Sequence, residues 1–381
     1  MKIGDVCESV SHTFNKQQKN VILINTSDIL DGEVINHKYV PNKNLRGQFK
    51  KSFQQDDILY SEIRPKNRRF AYIDFNANDY IASTKLMVIR SKDKILPQFL
   101  FQLLKSEDII NQLQSLAETR SGTFPQITFS ELAALDICIP AISEQKEIAY
   151  MLNTFDEKIA NNKKINHRLE EMAKAIFKSW FVDFELLKPF TEVVQVLGGG
   201  TPKTTISKYW GGSIPFFTPK DALTTYILNT EKNLTDLGLN NCNSRLYPLN
   251  TVFVTARGTV GKLALAGVSM AMNQSCYALI GHEGFGQHFV YHLSMNVINN
   301  LKHKASGAVF DAIVTRDFES EIIPVPPLEE IKSFEEKVKP IYATIRNNLK
   351  ESTRLATLRD TLLPRLMSGE LRVSDVEPSK R

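Results

Sequence analysis

Two histidines have the spacing of a metal-binding pair. His288 and His292 are four residues apart on a predicted helix, so one helix face could present both to a metal ion. No third ligand accompanies them, and His282-Glu283 is followed by Gly-Phe-Gly, which does not complete an HExxH motif. We therefore interpret both histidines as ordinary helix residues and predict no metal site.

Residues 257–262, RGTVGK, resemble a phosphate-binding loop without completing one. The full motif requires Gly where Ala256 stands and Ser or Thr where Leu263 stands. The sequence also contains no GxSxG nucleophile elbow, and none of the Asn-Pro-Pro-Phe or Asp-Pro-Pro-Tyr sequences with which amino-methyltransferases hold a flipped base. The sequence thus predicts a protein that is not an enzyme and that acts by binding.

The first half of the chain has the residue types of a DNA-binding surface. Residues 38–69 contain nine lysines and arginines and three acidic residues, an excess of +6 compared with +5 for the whole chain. Glutamine, asparagine and aromatic residues lie between these cations and can hydrogen-bond to base edges or stack on bases. A solvated loop without a ligand is the alternative. The predicted DNA-binding residues of this half are Lys50, Lys51, Arg64, Lys66, Arg68 and Arg69.

The second half has a less basic set of candidate DNA contacts on several predicted loops. Arg257 directly follows a predicted strand, as the loop with Arg64 does in the first half, and the glycines at 198–200 open a loop with further cations and aromatic residues. Residue types alone do not separate phosphate contacts from base contacts, so both roles stay open. The predicted DNA-binding residues of this half are Thr201, Lys203, Lys208, Lys220, Arg257, Lys262 and Gln274.

Composition constrains the class of protein that presents these loops. The chain has 381 residues, 42% of them hydrophobic and 23% charged, which is enough for two or three domains with cores of their own. No run of 18 apolar residues predicts a transmembrane helix, and no apolar N-terminal stretch predicts a signal peptide. The four cysteines lie far apart and form no CxxC pattern. We expect a reduced, cytoplasmic protein with no membrane partner.

The sequence repeats itself with a period near 188 residues. Residues 99–103, FLFQL, match 289–293, FVYHL, at an offset of 190, and residues 159–162, IANN, match 345–348, IRNN, at an offset of 186. Such a long period indicates a duplicated module and a pseudo-two-fold internal repeat rather than a solenoid. Each copy has short strand-like runs followed by a long helix, which predicts an α+β fold. The predicted boundaries are a first domain at 1–142, a long helix at 143–187, a second domain at 188–327, a second long helix at 328–366 and a tail at 367–381.

Both long helices have a narrow seam of apolar residues in alternating steps of three and four. Asn162 and Asn166 occupy the seam of the first helix, and Pro340 and Pro364 are predicted to interrupt the second. An ordinary core helix is one interpretation. The repeated polar seam positions instead favour a coiled-coil-like pair, because seam asparagines set register and a narrow seam needs a partner helix. We expect the two helices to pair antiparallel and to separate the two similar α+β domains, so that the domains read two different DNA half-sites across an unread spacer.

Several segments have a family-specific pattern, at the domain ends and along both long helices. They resemble the specificity (S) subunit of type I restriction–modification systems, over nearly the whole chain. The first half departs from the family because it lacks the Gly-Thr-Pro loop with which a target recognition domain usually begins. The matching segments are 139–148 (IPAISEQKEI), 155–159 (FDEKI), 177–184 (FKSWFVDF), 198–202 (GGGTP), 209–212 (YWGG), 214–218 (IPFFT), 325–330 (VPPLEE) and 361–371 (TLLPRLMSGEL).

The resemblance implies a subunit that reads double-stranded DNA and catalyses nothing. Two modification (methyltransferase) subunits would dock on the long helices, and restriction subunits with motor and nuclease activities would join them. S-adenosylmethionine, ATP and Mg²⁺ are expected on those partners, and no cofactor is expected on this chain. A solvated helix surface is an equally good interpretation of the candidate docking residues, which are Lys158, Asn161, Lys164, Arg168, Arg346, Asn347 and Lys350.

Two other functions stay open at this point. One is a coiled-coil scaffold with two protein-binding heads and no DNA role, which the basic cluster at residues 64–69 disfavours. The other is the recognition subunit of a system whose methyltransferase and nuclease are fused. An autonomous DNA enzyme would show activity from the purified chain alone, and we expect none.

Overall fold

The structure, a computed structural model, describes residues 1–14, 18–45, 47–119, 125–181, 184–304 and 312–376. Arg46 of the basic window lies outside these residues. The chain forms two compact units: unit 1 comprises Met1–Lys158 and Arg354–Arg381, and unit 2 comprises Ile159–Thr353. Each unit therefore contains one α+β segment and a part of each long helix. Within the described ranges, no helix is both long enough and apolar enough to cross a membrane.

Unit 1 is built on two four-stranded sheets. One has the strand order β1-β10-β7-β8 and is antiparallel throughout, and the other has the order β5-β2-β9-β6 with a parallel β2–β9 pair. The elements are β1 (Cys7–Val10), β2 (Asn20–Ile24), β3 (Ile29–Leu30), β4 (Glu33–Val34), β5 (Tyr39–Pro41), β6 (Phe49–Lys51), β7 (Ile58–Ser61), β8 (Phe70–Tyr72), β9 (Tyr80–Ser83), β10 (Leu86–Ser91), α1 (Pro97–Leu104), α2 (Glu107–Thr119) and α3 (Phe129–Ala133).

The first long helix and the elements of unit 2 follow in the chain. They are α4 (Ile142–Trp180), β11 (Leu187–Pro189), α5 (Phe190–Val193), β12 (Val194–Gly198), β13 (Trp210–Phe217), β14 (Tyr226–Ile227), β15 (Asn233–Leu234), α6 (Asp236–Asn240), β16 (Val252–Thr255), β17 (Leu263–Ala266), β18 (Ala271–Met272), β19 (Cys276–Gly281), α7 (Gln287–Lys304), α8 (Thr315–Glu319), β20 (Ile322–Pro324), α9 (Leu328–Met367) and α10 (Val373–Val376). The last turns of α9 and all of α10 belong to unit 1.

The main sheet of unit 2 repeats that of unit 1. Its order is β12-β19-β16-β17-β14, in which the first three pairs are antiparallel like their counterparts. Strand β19 lies 190 residues after β10, and the parallel pair β13–β18 corresponds to β2–β9. Helices α8 and α9 begin 186 residues after α3 and α4. The predicted duplication of an α+β module is therefore confirmed.

The central strands are hydrophobic on both faces because each face covers a different core. In β7, Ile58 and Tyr60 face the core that α1 and α2 cover, whereas Leu59 faces the core beneath the second sheet. In β16, Val252 and Val254 face one core of unit 2, and Phe253 faces the other. Side chains alternate between the two faces of a strand, and both faces of these strands are buried. The side chains that a ligand can reach therefore lie on the loops at the strand ends.

The long helices pair antiparallel through the predicted seam. In unit 2, Asn162 donates a hydrogen bond to the Glu351 carboxylate at 2.8 Å, and Asn348 donates to the side-chain oxygen of Asn166 at 2.8 Å. Residue numbers rise along α4 as those of its partners fall along α9. Asn162 and Asn166 are buried, as expected for seam residues that set register.

The prediction that two prolines interrupt the second helix is wrong. Helix α9 continues through Pro340 and Pro364, whose side chains are exposed. A proline inside a helix loses one backbone hydrogen bond, but Val338 and Leu363 beside them are buried in the hydrophobic cores. Packing of these neighbours offsets the lost bonds. Helix α4 also ends at Trp180 rather than 187, because Leu187–Pro189 pair with β20 as strand β11.

Candidate nucleic-acid interface

The basic loop of unit 1 connects β7 to β8 and has a fixed backbone. Arg64 and Arg68 flank the one-turn 3-10 helix Pro65–Asn67, and both adopt left-handed conformations with φ of 46° and 50°. The Arg64 amide donates to the Pro125 carbonyl at 3.0 Å, which anchors the start of the loop. Left-handed arginines are unfavourable unless their surroundings hold them, and such residues concentrate at functional sites. Arg64 and Lys66 are exposed at this turn.

Two of the predicted contact residues in this loop have structural roles as well. Arg68 forms ion pairs with Asp31 and Glu107. Arg69 donates from one guanidinium nitrogen to the carbonyls of Ser27 and Ile29, at 3.2 and 3.0 Å. These bonds fix where the loop lies. A guanidinium has five donors, so Arg69 still has donors besides that nitrogen.

The lysines of β6 lie near the same end of unit 1. Lys50 is exposed, whereas Lys51 donates its ammonium to the Leu86 carbonyl at 2.7 Å. Burial lowers the pKa of Lys51, partly opposed by the charge of Glu62. Because Leu86 pairs with Ser61, the last residue of β7, Lys51 lies beside the start of the basic loop. The structure thus brings Lys51 close to the residue at which the basic loop begins.

In unit 2 the glycine-rich loop packs closely on the segment that contains Gln274. A Cβ atom at Gly199 would lie 2.1 Å from the Asn273 carbonyl oxygen, and one at Gly200 would lie 2.7 Å from the Asn243 amide nitrogen. Only glycine allows this approach, which places the Thr201 hydroxyl in a hydrogen bond with the Gln274 amide oxygen. Sequence positions 73 residues apart therefore form one polar group.

Arg257 lies beside this group. It follows β16, and the Ala256 amide before it donates to the Ser275 carbonyl at 2.8 Å, one residue from Gln274. Arg257 and Gln274 are exposed. Thr201, Arg257 and Gln274 therefore combine a guanidinium with a hydroxyl and an amide, the groups that bind phosphate and base edges.

The other predicted cations of unit 2 occupy two further positions. Lys203 and Lys208 are exposed at either end of the segment before β13, and the Lys208 carbonyl accepts from the Thr235 hydroxyl at 2.8 Å. Lys220 is exposed and lies 3.8 Å from the Glu231 carboxylate. Lys262 donates to the Ala222 carbonyl at 3.3 Å, so it also supports the neighbouring loop.

The predicted docking residues lie on α4 and α9. Lys158, Asn161, Lys164 and Arg168 are exposed on α4, as are Asn347 and Lys350 on α9. Arg346 differs, because its side chain is half-buried and its Nε atom lacks a hydrogen-bond partner within the described part of the chain.

The two histidines with metal-pair spacing belong to the core of unit 2. His288 Nδ1 lies 2.8 Å from the Glu335 carboxylate, and His292 Nε2 lies 2.7 Å from the Tyr342 hydroxyl. Burial, assisted by the charges of His288 and Lys174, lowers the pKa of His292 to about 3. Among the described residues, no group of three or more histidine, cysteine, aspartate and glutamate side chains could hold a metal ion.

The chain matches a known protein family over most of its length. The family model described as type I restriction modification DNA specificity domain matches the chain twice, at residues 1–171 and 183–355. The chain belongs to this family. The specificity subunit of the type I restriction enzyme HindI from Haemophilus influenzae is 30% identical over 97% of this chain and 98% of its own length. The MjaIX specificity subunit from Methanocaldococcus jannaschii is 25% identical over 85% of this chain and 79% of that protein.

A solved structure supports the fold. The type I restriction–modification S subunit from M. genitalium has 15% sequence identity and a TM-score of 0.54, over 96% of this chain and 95% of that one. Type I specificity proteins determine DNA sequence recognition and are not catalytic, and this chain shares that role as a family member. The resemblance to the specificity subunit and the predicted fold class are thereby confirmed.

Sequence reasoning missed some residues of these surfaces. The ammonium of Lys232 lies 5.6 Å from the centre of the Trp210 ring, a cation–π contact beside the segment with Lys208. Leu30 at the end of β3 and Leu223 just after the 3-10 helix Pro219–Asp221 are exposed. An alignment of the two halves at an offset of 193, rather than 190, would have placed these leucines opposite each other.

Proposed function

We propose that this chain gives a type I restriction–modification complex its specificity by reading a bipartite, non-palindromic DNA site, one half-site with each unit. The observation that carries this proposal is the duplication of one α+β module with different loops. The loops after β7 and β16 occupy equivalent positions, yet one contains the cluster at 64–69 and the other the sequence at 256–262. Different side chains at equivalent positions select different bases.

The two units are expected to contribute differently to DNA affinity and to discrimination between bases. Unit 1 contains the more concentrated positive charge, because residues 38–69 have an excess of +6, and such a cluster favours contacts with the phosphate backbone. Unit 2 presents Thr201 and Gln274 beside Arg257, a set suited to base edges in a groove. We therefore expect unit 1 to contribute more of the salt-dependent affinity and unit 2 to discriminate more strongly between bases.

The partners follow from this role. We propose that two methyltransferase subunits dock on the exposed faces of α4 and α9, at the residues described above, and that restriction subunits complete the complex. S-adenosylmethionine, ATP and Mg²⁺ would bind to those subunits, and the complex would act on DNA in the cytoplasm. Exposed lysine, arginine and asparagine side chains on a helix suit a polar, separable protein interface.

Replacing Arg64 or Arg257 with alanine is expected to weaken DNA binding in two distinguishable ways. A phosphate contact would weaken binding to all sequences alike and reduce the salt dependence, because one fewer counterion is released. A base contact would cost about 1–3 kcal/mol and relax specificity at one position. Titrations of the complex with cognate and scrambled duplexes at several salt concentrations measure both effects.

Lys94→Ala is the matched control, because Lys94 is an exposed cation outside the proposed surfaces. It removes the same charge and is expected to change affinity by much less. Binding by both arginine variants that equals that of the control at every salt concentration would contradict the loop assignment. A wild-type affinity that does not depend on salt or sequence would favour the protein-binding scaffold.

A further inference from the structure

Both units contain an exposed leucine two residues after a one-turn 3-10 helix. In unit 1 the one-turn 3-10 helix Thr26–Asp28 is followed by buried Ile29 and exposed Leu30. We call residues 25–30 the first leucine tip. Its conformation is held locally, because the Asp28 carboxylate accepts from the Asn25 amide at 2.8 Å.

Residues 218–223 of unit 2 form the second leucine tip. The one-turn 3-10 helix Pro219–Asp221 is followed by buried Ala222 and exposed Leu223. The Asp221 carboxylate accepts from the Thr218 amide at 2.8 Å, the same bond at the same length as in unit 1. Each residue of this tip lies 193 positions after its counterpart, so the duplication preserves the tip as a unit.

A cation that directly precedes a strand supports each leucine tip: Arg69 precedes β8, and Lys262 precedes β17. Arg69 donates to the Ile29 carbonyl at 3.0 Å, and Lys262 donates to the Ala222 carbonyl at 3.3 Å. Residues 69 and 262 are also 193 positions apart. The repeated device therefore consists of a capped turn, a buried apolar residue, an exposed leucine and a cation on the carbonyl between them.

The leucines of both tips are exposed although their backbones are fixed. Leu223 is 79% exposed and Leu30 is 41% exposed. The Leu223 amide donates to the Asp221 carbonyl at 2.8 Å, which closes a tight turn and fixes the backbone at Leu223. An exposed apolar side chain on a rigid turn can bind with little loss of conformational entropy.

We propose that each leucine tip docks into an apolar socket on a methyltransferase subunit, so that the two tips capture two copies of the same partner. This inference rests on the proposed function. The half-sites of the DNA differ, so a device preserved in both units fits a partner that is common to both. Phosphates are common to both half-sites, but they offer a leucine no apolar contact.

The second tip is continuous with the helix on which docking is proposed. Within unit 2, Leu223, Thr225 and Lys262 line a cavity of about 370 Å³ together with Lys163 and His167 of α4. Lys164 and Arg168, two of the proposed docking residues, are the next residues along that helix. A partner on α4 would therefore meet the second leucine tip at this cavity.

The test is the binding of the cognate methyltransferase subunit to the full chain in the absence of DNA. Leu223→Ala is expected to weaken the binding of one of the two methyltransferase copies about tenfold, as truncation of a central apolar contact does. Leu30→Ala should weaken the other copy by a smaller factor, and the double variant should weaken both. Calorimetric titration gives the affinities, and native mass spectrometry gives the stoichiometry.

Leu246→Ala is the matched control, because Leu246 is 50% exposed in unit 2 and is not part of either tip. It should bind two methyltransferase copies like the wild type. Tip variants that bind like the control would overturn the inference and leave the proposed function standing. Tip variants that lose DNA affinity but bind the methyltransferase subunit like the wild type would also overturn the inference, since the leucines would then contact DNA. A wild-type chain that binds no methyltransferase subunit would overturn both.

Discussion

Replacing Asp156 with alanine is expected to lower the free energy of unfolding of unit 1 by about 3–5 kcal/mol. Asp156 on α4 accepts hydrogen bonds from Gln102 and Arg359, both at 2.7 Å, and forms an ion pair with Lys105. The side chains of Lys105 and Arg359 are only 7% and 11% exposed. Without the carboxylate, two buried cations would face each other. Urea denaturation measures the loss, and hydrogen exchange of the α1 amides assigns it to unit 1.

The two cations beside Asp156 affect its pKa more than its burial does. Burial alone would raise the pKa of Asp156, yet Lys105 and Arg359 outweigh burial and hold the pKa below its usual value. A carboxyl with a lowered pKa stabilises the fold above its unfolded pKa, and that stabilisation is lost as pH falls through the lowered folded value.

Two further variants separate the charge cluster from a simple loss of packing. Asp360→Ala removes the second carboxylate that contacts Arg359 but leaves Asp156 in place between both cations, and it is expected to cost about 1 kcal/mol or less. The triple variant Lys105→Met, Asp156→Leu, Arg359→Met removes all three charges and should recover most of the loss, because no unpaired charge stays buried. Unfolding of Asp156→Ala at wild-type denaturant concentrations would contradict this account.

Mild acid is expected to destabilise unit 2 through His292. This histidine is 2% exposed, and its pKa is lowered from 6.5 to about 3 by burial together with the charges of His288 and Lys174. Below pH 6.5 the unfolded chain binds the proton and the folded chain does not, so stability falls as pH drops from 6.5 towards 3. At about 1.4 kcal/mol per pH unit, this one group removes about 2 kcal/mol at pH 5.

His292→Gln should abolish this part of the acid sensitivity. Glutamine is a suitable replacement because Gln102 stands at the equivalent position of unit 1, where it contacts Asp156 as His292 contacts Tyr342. Unfolding free energies at pH 7.5 and pH 5, compared between variant and wild type, cancel the other titrating groups. His167→Gln, at an exposed histidine of α4, is the control, and its unfolding free energy should depend on pH as that of the wild type does. Equal pH dependence of wild type and His292→Gln would show that burial does not govern the proton affinity of His292.

The duplication and the paired helices were predictable from sequence because one repeats at a nearly constant offset and the other depends on local periodicity. The seam of α4 and the matched asparagines at 162 and 348 indicate register before any contact is known. Offsets of 190 and 186 residues relate β10 to β19, α3 to α8 and α4 to α9. These features recur at fixed spacing, so self-comparison detects them.

The details of the candidate interface were not predictable in this way. The hydrogen bonds of Arg69 to the Ile29 carbonyl and of Thr201 to Gln274 join segments 40 and 73 residues apart. Composition reveals the basic excess at 38–69, but it does not reveal which cations also support the fold. The continuity of α9 through Pro340 likewise depends on burial of neighbouring residues, which propensity does not contain.

The most direct test of the account is to sequence methylated adenines in cells that contain this chain and its methyltransferase subunit. The account predicts methylation in one bipartite motif, with two different half-sites a few base pairs long and a spacer of constant length. Methylation should also disappear when this chain is deleted and the methyltransferase is retained. A single uninterrupted motif, a palindromic motif, or methylation that persists without this chain would contradict the account.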